Sequence, residues 1–160
     1  MIGIHQLVDI SFSGEINNLL KELSPNAEPI TEHDLKRCLE NHFFFLFIAT
    51  DSDKEYPKDL VGMATVFFTW KCSGWLAEVH DIVVTPTYRG RHIGDMLMKK
   101  LLEVAKAFAE QEAKKITVSL TSKPHRIAAN LMYQQHGFEL VAQAVGKNGT
   151  NLYKLVMEPR

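Results

Sequence analysis

Residues Glu78–Phe108 read EVHDIVVTPTYRGRHIGDMLMKKLLEVAKAF. The segment from Glu78 to Val84 ends in Ile82, Val83 and Val84 and reads as a strand with a buried face. Thr85 to His92 is a turn. From Ile93 the apolar residues Met96, Leu97, Leu101, Val104, Ala105 and Phe108 follow the 3.6-residue period, which predicts an amphipathic helix to about Gln111. Lys99, Glu103 and Lys106 fall on its opposite, solvated face. A helix that opens from such a turn leaves its first N–H groups without partners at the positive end of the macrodipole, where a phosphate can be held. Gly90 and Gly94 allow a ligand close to the backbone, and Arg89 and Arg91 add positive charge. Taken alone, a Gly/Arg turn of this kind is equally an unliganded connection, so the rest of the chain has to decide.

Working outward, Lys115–Leu120 (KITVSL) is a strand, and strand–helix–strand implies a parallel pair with a crossover. Arg126–His136 predicts a short helix stopped by Gly137 in a left-handed cap. Phe138–Val145 and Asn151–Met157 predict a hairpin across Gly146-Lys147-Asn148-Gly149. On the other side, Trp75–Val84 is the third strand of a meander that begins with Phe43–Thr50 and Leu60–Trp70, joined by the polar Asp51–Asp59 segment and by Cys72-Ser73-Gly74. Trp70, Trp75 and the aromatic run from Phe43 to Phe47 are expected in the sheet core. Before the meander, Ile2–Ile10 suggests a first strand. Ser13 is a candidate N-cap for a helix to about Leu23, carrying Ile16, Leu19, Leu20 and Leu23 on one side. Ser24-Pro25-Asn26 breaks that helix, and Thr31 can cap a second with Glu32 and Asp34 in its first turn. The pattern is one α/β domain, of α+β type, over residues 1–160 with a mixed sheet.

Composition removes several function classes. A formal net charge of -1 gives no general attraction to nucleic acid or to an acidic membrane surface. The longest apolar run, Phe43 to Ala49, is too short for a membrane span, and MIGIHQLVDI has none of the features of a secretory signal. Cys38 and Cys72 form neither a disulfide framework nor a metal pattern, and His5, His33 and His42 show no ligand spacing. A cytoplasmic protein without a metal is expected. The P-loop and dinucleotide-binding glycine patterns are both missing, so neither class of nucleotide is indicated.

Two segments together resemble the GCN5-related N-acetyltransferases. Arg89-Gly90-Arg91-His92-Ile93-Gly94, placed between the strand and the amphipathic helix, is similar to that family's Q/R-x-x-G-x-G/A motif, with His92 standing where the middle glycine belongs. Ala128-Ala129-Asn130-Leu131-Met132-Tyr133-Gln134-Gln135-His136-Gly137-Phe138 resembles the family's A-x-x-F/Y-Y-x-x-x-G-F segment. The order and separation of the two, and the order of elements over nearly the whole chain, also fit. The resemblance implies a mixed, mostly antiparallel twisted sheet of about seven strands with about four helices and splayed central parallel strands. It implies acetyl-CoA as cosubstrate, its pyrophosphate on the backbone of the Arg89–Asp95 turn, with Arg89, Gly90, Arg91, His92, Ile93, Gly94 and Asp95 in contact. Its pantetheine arm would pair with Ile82, Val83 and Val84 as a surrogate strand. Asn130 and Tyr133, three apart on one helix, share a face. The family's asparagine contacts the arm, and its tyrosine lies by the sulfur and protonates the leaving thiolate. An amine acceptor, a small molecule or a peptide, is also implied, while oligomeric state stays open between a monomer and the homodimer that members often form.

Aminolysis of a thioester needs a neutral amine, whereas an alkyl ammonium is mostly protonated near neutral pH. Strand alternation puts Glu78, His80, Ile82 and Val84 on one face and Val79, Asp81 and Val83 on the other, making Asp81 a structural residue. Glu78 and His80 stand where family members carry an acid, and either can serve as a water-mediated base. Attack would be direct, since neither cysteine lies in the motif core. Two other readings keep the same cleft: a non-catalytic acyl-CoA-binding module, and a transferase for a longer acyl chain. Lys123, His125 and Arg126 are either adenosine-phosphate contacts or an exposed basic loop.

Overall fold

The structure, a computed structural model, describes residues 1–55, 60–144 and 148–160. Seven strands form one sheet in the order β1-β2-β3-β4-β5-β7-β6, where β1 is Ile2–Gln6, β2 Phe44–Asp51, β3 Leu60–Lys71, β4 Gly74–Val84, β5 Ile116–Ser122, β6 Glu139–Ala142 and β7 Asn151–Met157. Four helices accompany it: α1 (Ser13–Leu23), α2 (Glu32–Leu39), α3 (Ile93–Glu112) and α4 (Ile127–Gln135). β1 to β3 pair antiparallel, as do β5–β7 and β6–β7, while β4–β5 is parallel. Among the described residues the parallel pairing is registered from Trp75↔Ile116 to Glu78↔Ser119, although β4 runs on to Val84 and β5 to Ser122. This is the mixed architecture the resemblance implied. No helix among the described residues is long and apolar enough to cross a membrane.

The chain divides into two compact units, one made of Met1–Phe67 with His80–Glu103, the other of Phe68–Val79 with Val104–Arg160. In the first, Leu7, Ile16, Leu19, Leu35, Leu46, Ile48, Met63 and Val83 form the core. Asn17 holds the α1–α2 connection from both sides: its amide donates to Ile30 O at 2.9 Å and its oxygen accepts from Ile30 N at 2.7 Å. Thr31 caps α2 as expected, in a reciprocal box with Asp34. Ser13 does not cap α1. A 3-10 turn, Ile10–Phe12, precedes the helix, and the capping oxygen belongs to Asp9, which accepts from Ser11 N at 2.8 Å. In the second unit Ile116, Val118, Leu120, Phe138 and Tyr153 are buried. Phe68 stacks on Phe108 at 4.0 Å, Trp75 meets Phe108 edge-on at 4.9 Å, and the Trp75 indole N–H donates to Glu112 at 3.2 Å. Trp70 departs from the expected core placement, being 51% exposed with the Lys114 ammonium 4.6 Å above its ring. Phe43, also assigned to the core, is 44% exposed. β1 stops at Gln6, short of the expected Ile10, and Gly137 takes the left-handed cap after α4 at φ 89°. Parts of the Asp51–Asp59 connection (Tyr56 to Asp59) and of the last hairpin (Val145, Gly146 and Lys147) lie outside the described residues.

Candidate active site

In the first unit β4 carries a break that alternation did not anticipate. Asp81 has φ 54°, a left-handed conformation inside a strand. Phe44, Leu46 and Ile48 pair across to Phe67, Thr65 and Met63 and so share one face of the sheet with them. The Phe67 ring stacks on His80 at 5.4 Å, and the Thr65 hydroxyl lies 3.1 Å from His80 O and 3.3 Å from Asp81 Oδ2. His80 and Asp81 therefore address the same face. Beyond the break the phase is inverted. Val83 joins the core with Leu46 and Ile48, while Val84 turns to the other side, where its Cγ2 would meet a Cβ added at Gly62 at 3.4 Å. The expected grouping of His80 with Ile82 and Val84, and of Asp81 on the opposite face, is corrected accordingly. A one-residue bulge re-aims side chains in this way and interrupts the backbone ladder where a ligand can use it.

The turn after β4 is built for close backbone approach. Gly90 has φ 76° and His92 has φ 59°, so two of its residues are left-handed. That conformation explains why glycine suits the position of His92, and histidine occupies it at a cost of about 1–2 kcal/mol. The His92 side chain is exposed and does not fill the loop, while its carbonyl accepts from Met96 N at 3.0 Å and so starts α3. The N–H groups of Ile93, Gly94 and Asp95 are those a helix leaves without an intrahelical acceptor. Asp95 is the acid of the first turn, and its charge is balanced by Lys99 at 2.8 Å.

Arg89 is tied to the strand end, its Nε donating to Val84 O at 3.1 Å, with Glu22 at 3.6 Å from its guanidinium. Arg91 lies 4.6 Å over the Tyr88 ring, and Lys54 lies 4.7 Å from the same ring. The Tyr88 hydroxyl donates to Asp51 Oδ2 at 2.6 Å, and this bond, with the Asp53 amide, holds the Asp51 carboxyl at about 2. Tyr88 and Asp51 thus anchor the turn. The sequence reading missed both, because their bond joins positions that no local pattern relates.

The second unit holds Glu78, Asn130 and Tyr133. Glu78 is half-buried at the last registered pair of β4 with β5, opposite Ser119. Asn130 and Tyr133 are the buried residues of α4. The Asn130 amide donates to Lys123 O at 3.0 Å, closing the β5–α4 loop, and this fixes which atom is its oxygen. That oxygen, Oδ1, is buried and has no partner among the described residues, and the same is true of Ser122 Oγ. Tyr133 is 6% exposed beside Phe138 and Tyr153. Burial raises its hydroxyl pKa above the ordinary value, with Arg126 opposing, so it stays protonated and able to donate near neutral pH. Lys123 reaches Asn148 O at 2.7 Å. No group of metal-ligating side chains occurs among the described residues.

The family model described as the Acetyltransferase (GNAT) family matches residues 14–138. Among curated proteins, the human spermidine/spermine N(1)-acetyltransferase-like protein 1 is 34% identical over 101 residues, which is 57% of this chain. The match spans only 14% of that relative's length. Among solved structures, Arabidopsis thaliana NAA60 in complex with a bisubstrate analogue superposes with a TM-score of 0.77 at 14% identity, covering 100% of both chains. The same plant protein in complex with acetyl-CoA gives 0.76 at 14% identity over 98% of each chain. A GNAT-family acetyltransferase from Streptococcus pneumoniae gives 0.76 at 16% identity over 98% of this chain and 99% of its own.

Proposed function

The chain belongs to the GNAT acetyltransferase family, and from that premise we propose that it moves the acetyl group of acetyl-CoA to a primary amine by direct attack within a ternary complex. The observation that carries this reading is the left-handed turn at Gly90 and His92 opening α3, a conformation that supports close approach of a diphosphate to the backbone. The buried Asn130 Oδ1, without a partner among the described residues, supports it independently, since an acceptor without a donor is what an amide-bearing arm would satisfy.

The residues take these parts. Amides at the start of α3, with Arg89, hold the pyrophosphate, and the strand end Ile82–Val84 pairs with the pantetheine amides. Acetyl-CoA supplies the thioester. An N–H at the Asp81 break polarises its carbonyl as an oxyanion donor would. Glu78 takes the ammonium proton through water, with His80 the competing base. The amine nitrogen then bonds the acetyl carbon, the carbon–sulfur bond breaks as Tyr133 gives its proton to the departing thiolate, and the remaining excess proton on the nitrogen leaves to water as the amide forms, returning through solvent to Tyr133.

Initial-rate kinetics with both substrates varied, on wild type, Glu78→Gln and His80→Ala across pH, test the scheme. Intersecting patterns are expected, with kcat/KM lowered at every pH in Glu78→Gln and little changed in His80→Ala. Parallel patterns would overturn direct attack, and a loss confined to His80→Ala would transfer the base to His80.

A further inference from the structure

A cavity of about 540 Å³ lies in the first unit between the end of β1, the C-terminal half of α2 and the start of β2. Its floor is apolar, with Leu7 and Leu46 buried and Phe44 half-buried. Its rim is charged, carrying Asp9, Glu40 and Lys36. Asp9 is fixed by its bond to Ser11 N, while Lys36 and Glu40 form an exposed pair at 3.7 Å, so the rim keeps one carboxylate in excess. The floor residues Phe44 and Leu46 share one sheet face with residues that touch the reactive strand. Phe44 pairs with Phe67, whose ring stacks on His80, and Leu46 pairs with Thr65, which bonds His80 O.

We propose that this cavity is the acceptor site, and that it takes an aliphatic amine whose second cationic group sits at the Asp9–Glu40 rim. From β2 to β4 is two strand spacings and the rim lies beyond β2, so the two cations stand roughly 10–15 Å apart. The apolar floor covers the methylenes between them, and the carboxylates recognise the distal ammonium. This inference rests on the acetyltransferase reading for its reactive end and on the cavity alone for its distal end.

Octamethylenediamine, octylamine and aminooctanoate serve as probes, each followed in two ways: steady-state acetylation, and calorimetric binding to the protein without acetyl-CoA. The diamine is expected to show a KM about fivefold below that of octylamine, an exposed ion pair's worth of discrimination, and the amino acid to be the poorest. Asp9→Asn and Glu40→Gln should each remove most of that preference without changing the KM for octylamine or acetyl-CoA. Val8→Arg, at a rim position 82% exposed and so free of folding risk, should reverse it. Equal constants for diamine and monoamine, or a preference that survives all three variants, overturns the inference while acetylation stands. Diamine binding that is lost in Asp9→Asn, with no acetylation of any probe, overturns the catalytic reading while the site stands. Neither binding nor acetylation overturns both.

Discussion

Replacing His92 with glycine isolates the conformational cost of the turn. The wild-type residue holds φ 59° with an exposed side chain, so no packing is lost when the imidazole is removed. The left-handed conformation costs a residue with a Cβ about 1–2 kcal/mol, and glycine relieves it. Against that, glycine widens the unfolded ensemble by about 0.4–1 kcal/mol. The difference leaves the variant more stable by up to about 1.6 kcal/mol, or as much as roughly 6 °C in Tm for a chain of this length. His92→Val, β-branched and ill-suited to that region, should lose about 1–2 kcal/mol instead. Differential scanning calorimetry reads the stabilities, and titration with acetyl-CoA reads the site. If only the backbone holds the diphosphate, the glycine variant binds acetyl-CoA within about twofold of wild type. A lower Tm in the glycine variant, or acetyl-CoA binding weakened tenfold or more, would show that the imidazole itself makes contact and that the backbone account is wrong.

Three further outcomes follow from other parts of the structure. Tyr133→Phe should lower kcat about a hundredfold with little change in the KM for acetyl-CoA. Because burial raises the Tyr133 pKa, the wild-type rate should fall only above the ordinary tyrosine range, and stopped-assay pH profiles should show that alkaline limb missing from the variant. Gly62→Ala should destabilise by about 1–3 kcal/mol, measured by urea unfolding, because the new Cβ would lie 3.0 Å from Val83 O and backbone has to move. Tyr88→Phe removes the strongest influence on Asp51. The Asp51 carboxyl, lowered from 3.8 to about 2 in the folded protein, contributes stability that is present above pH 3.8 and lost as pH falls to about 2. The variant's stability should therefore vary less steeply across that window, and carboxyl NMR should show Asp51 titrating at higher pH.

What the sequence disclosed and what it concealed divide along the range of the interactions. The α3 stripe, the Thr31 cap, the Gly137 stop and the meander depend on spacings of a few residues, and each is found where the pattern put it. The phase inversion at Asp81 left little trace, because Val79-His80-Asp81-Ile82-Val83 alternates plausibly in either phase. The one clue was an aspartate, a residue strands disfavour, in mid-strand. Asp9 rather than Ser13 supplies the cap because the chain enters α1 through a 3-10 turn, an ambiguity of a few residues that composition cannot resolve. Trp70 looked like core by residue type, yet lies near the end of β3 under Lys114, where aliphatic and aromatic surfaces cover each other in water. The Tyr88–Asp51 anchor and the Thr65 contact with His80 and Asp81 join distant segments and were legible only in three dimensions. The His92 departure from the family motif is likewise read only in three dimensions: its backbone stands at φ 59°, a conformation that glycine adopts freely.

The central claim, acetyl transfer to an amine, is tested most directly by following both products at once across a panel of primary amines. Free thiol is read by its colour reaction, and the acceptor and the protein are weighed by mass spectrometry in a single turnover. The account predicts thiol release that requires an amine, one acetyl group gained on that amine per thiol released, and no acetyl group on the protein at any time. Thiol release that proceeds equally without an amine, or acetyl found on the protein before the acceptor, would contradict it.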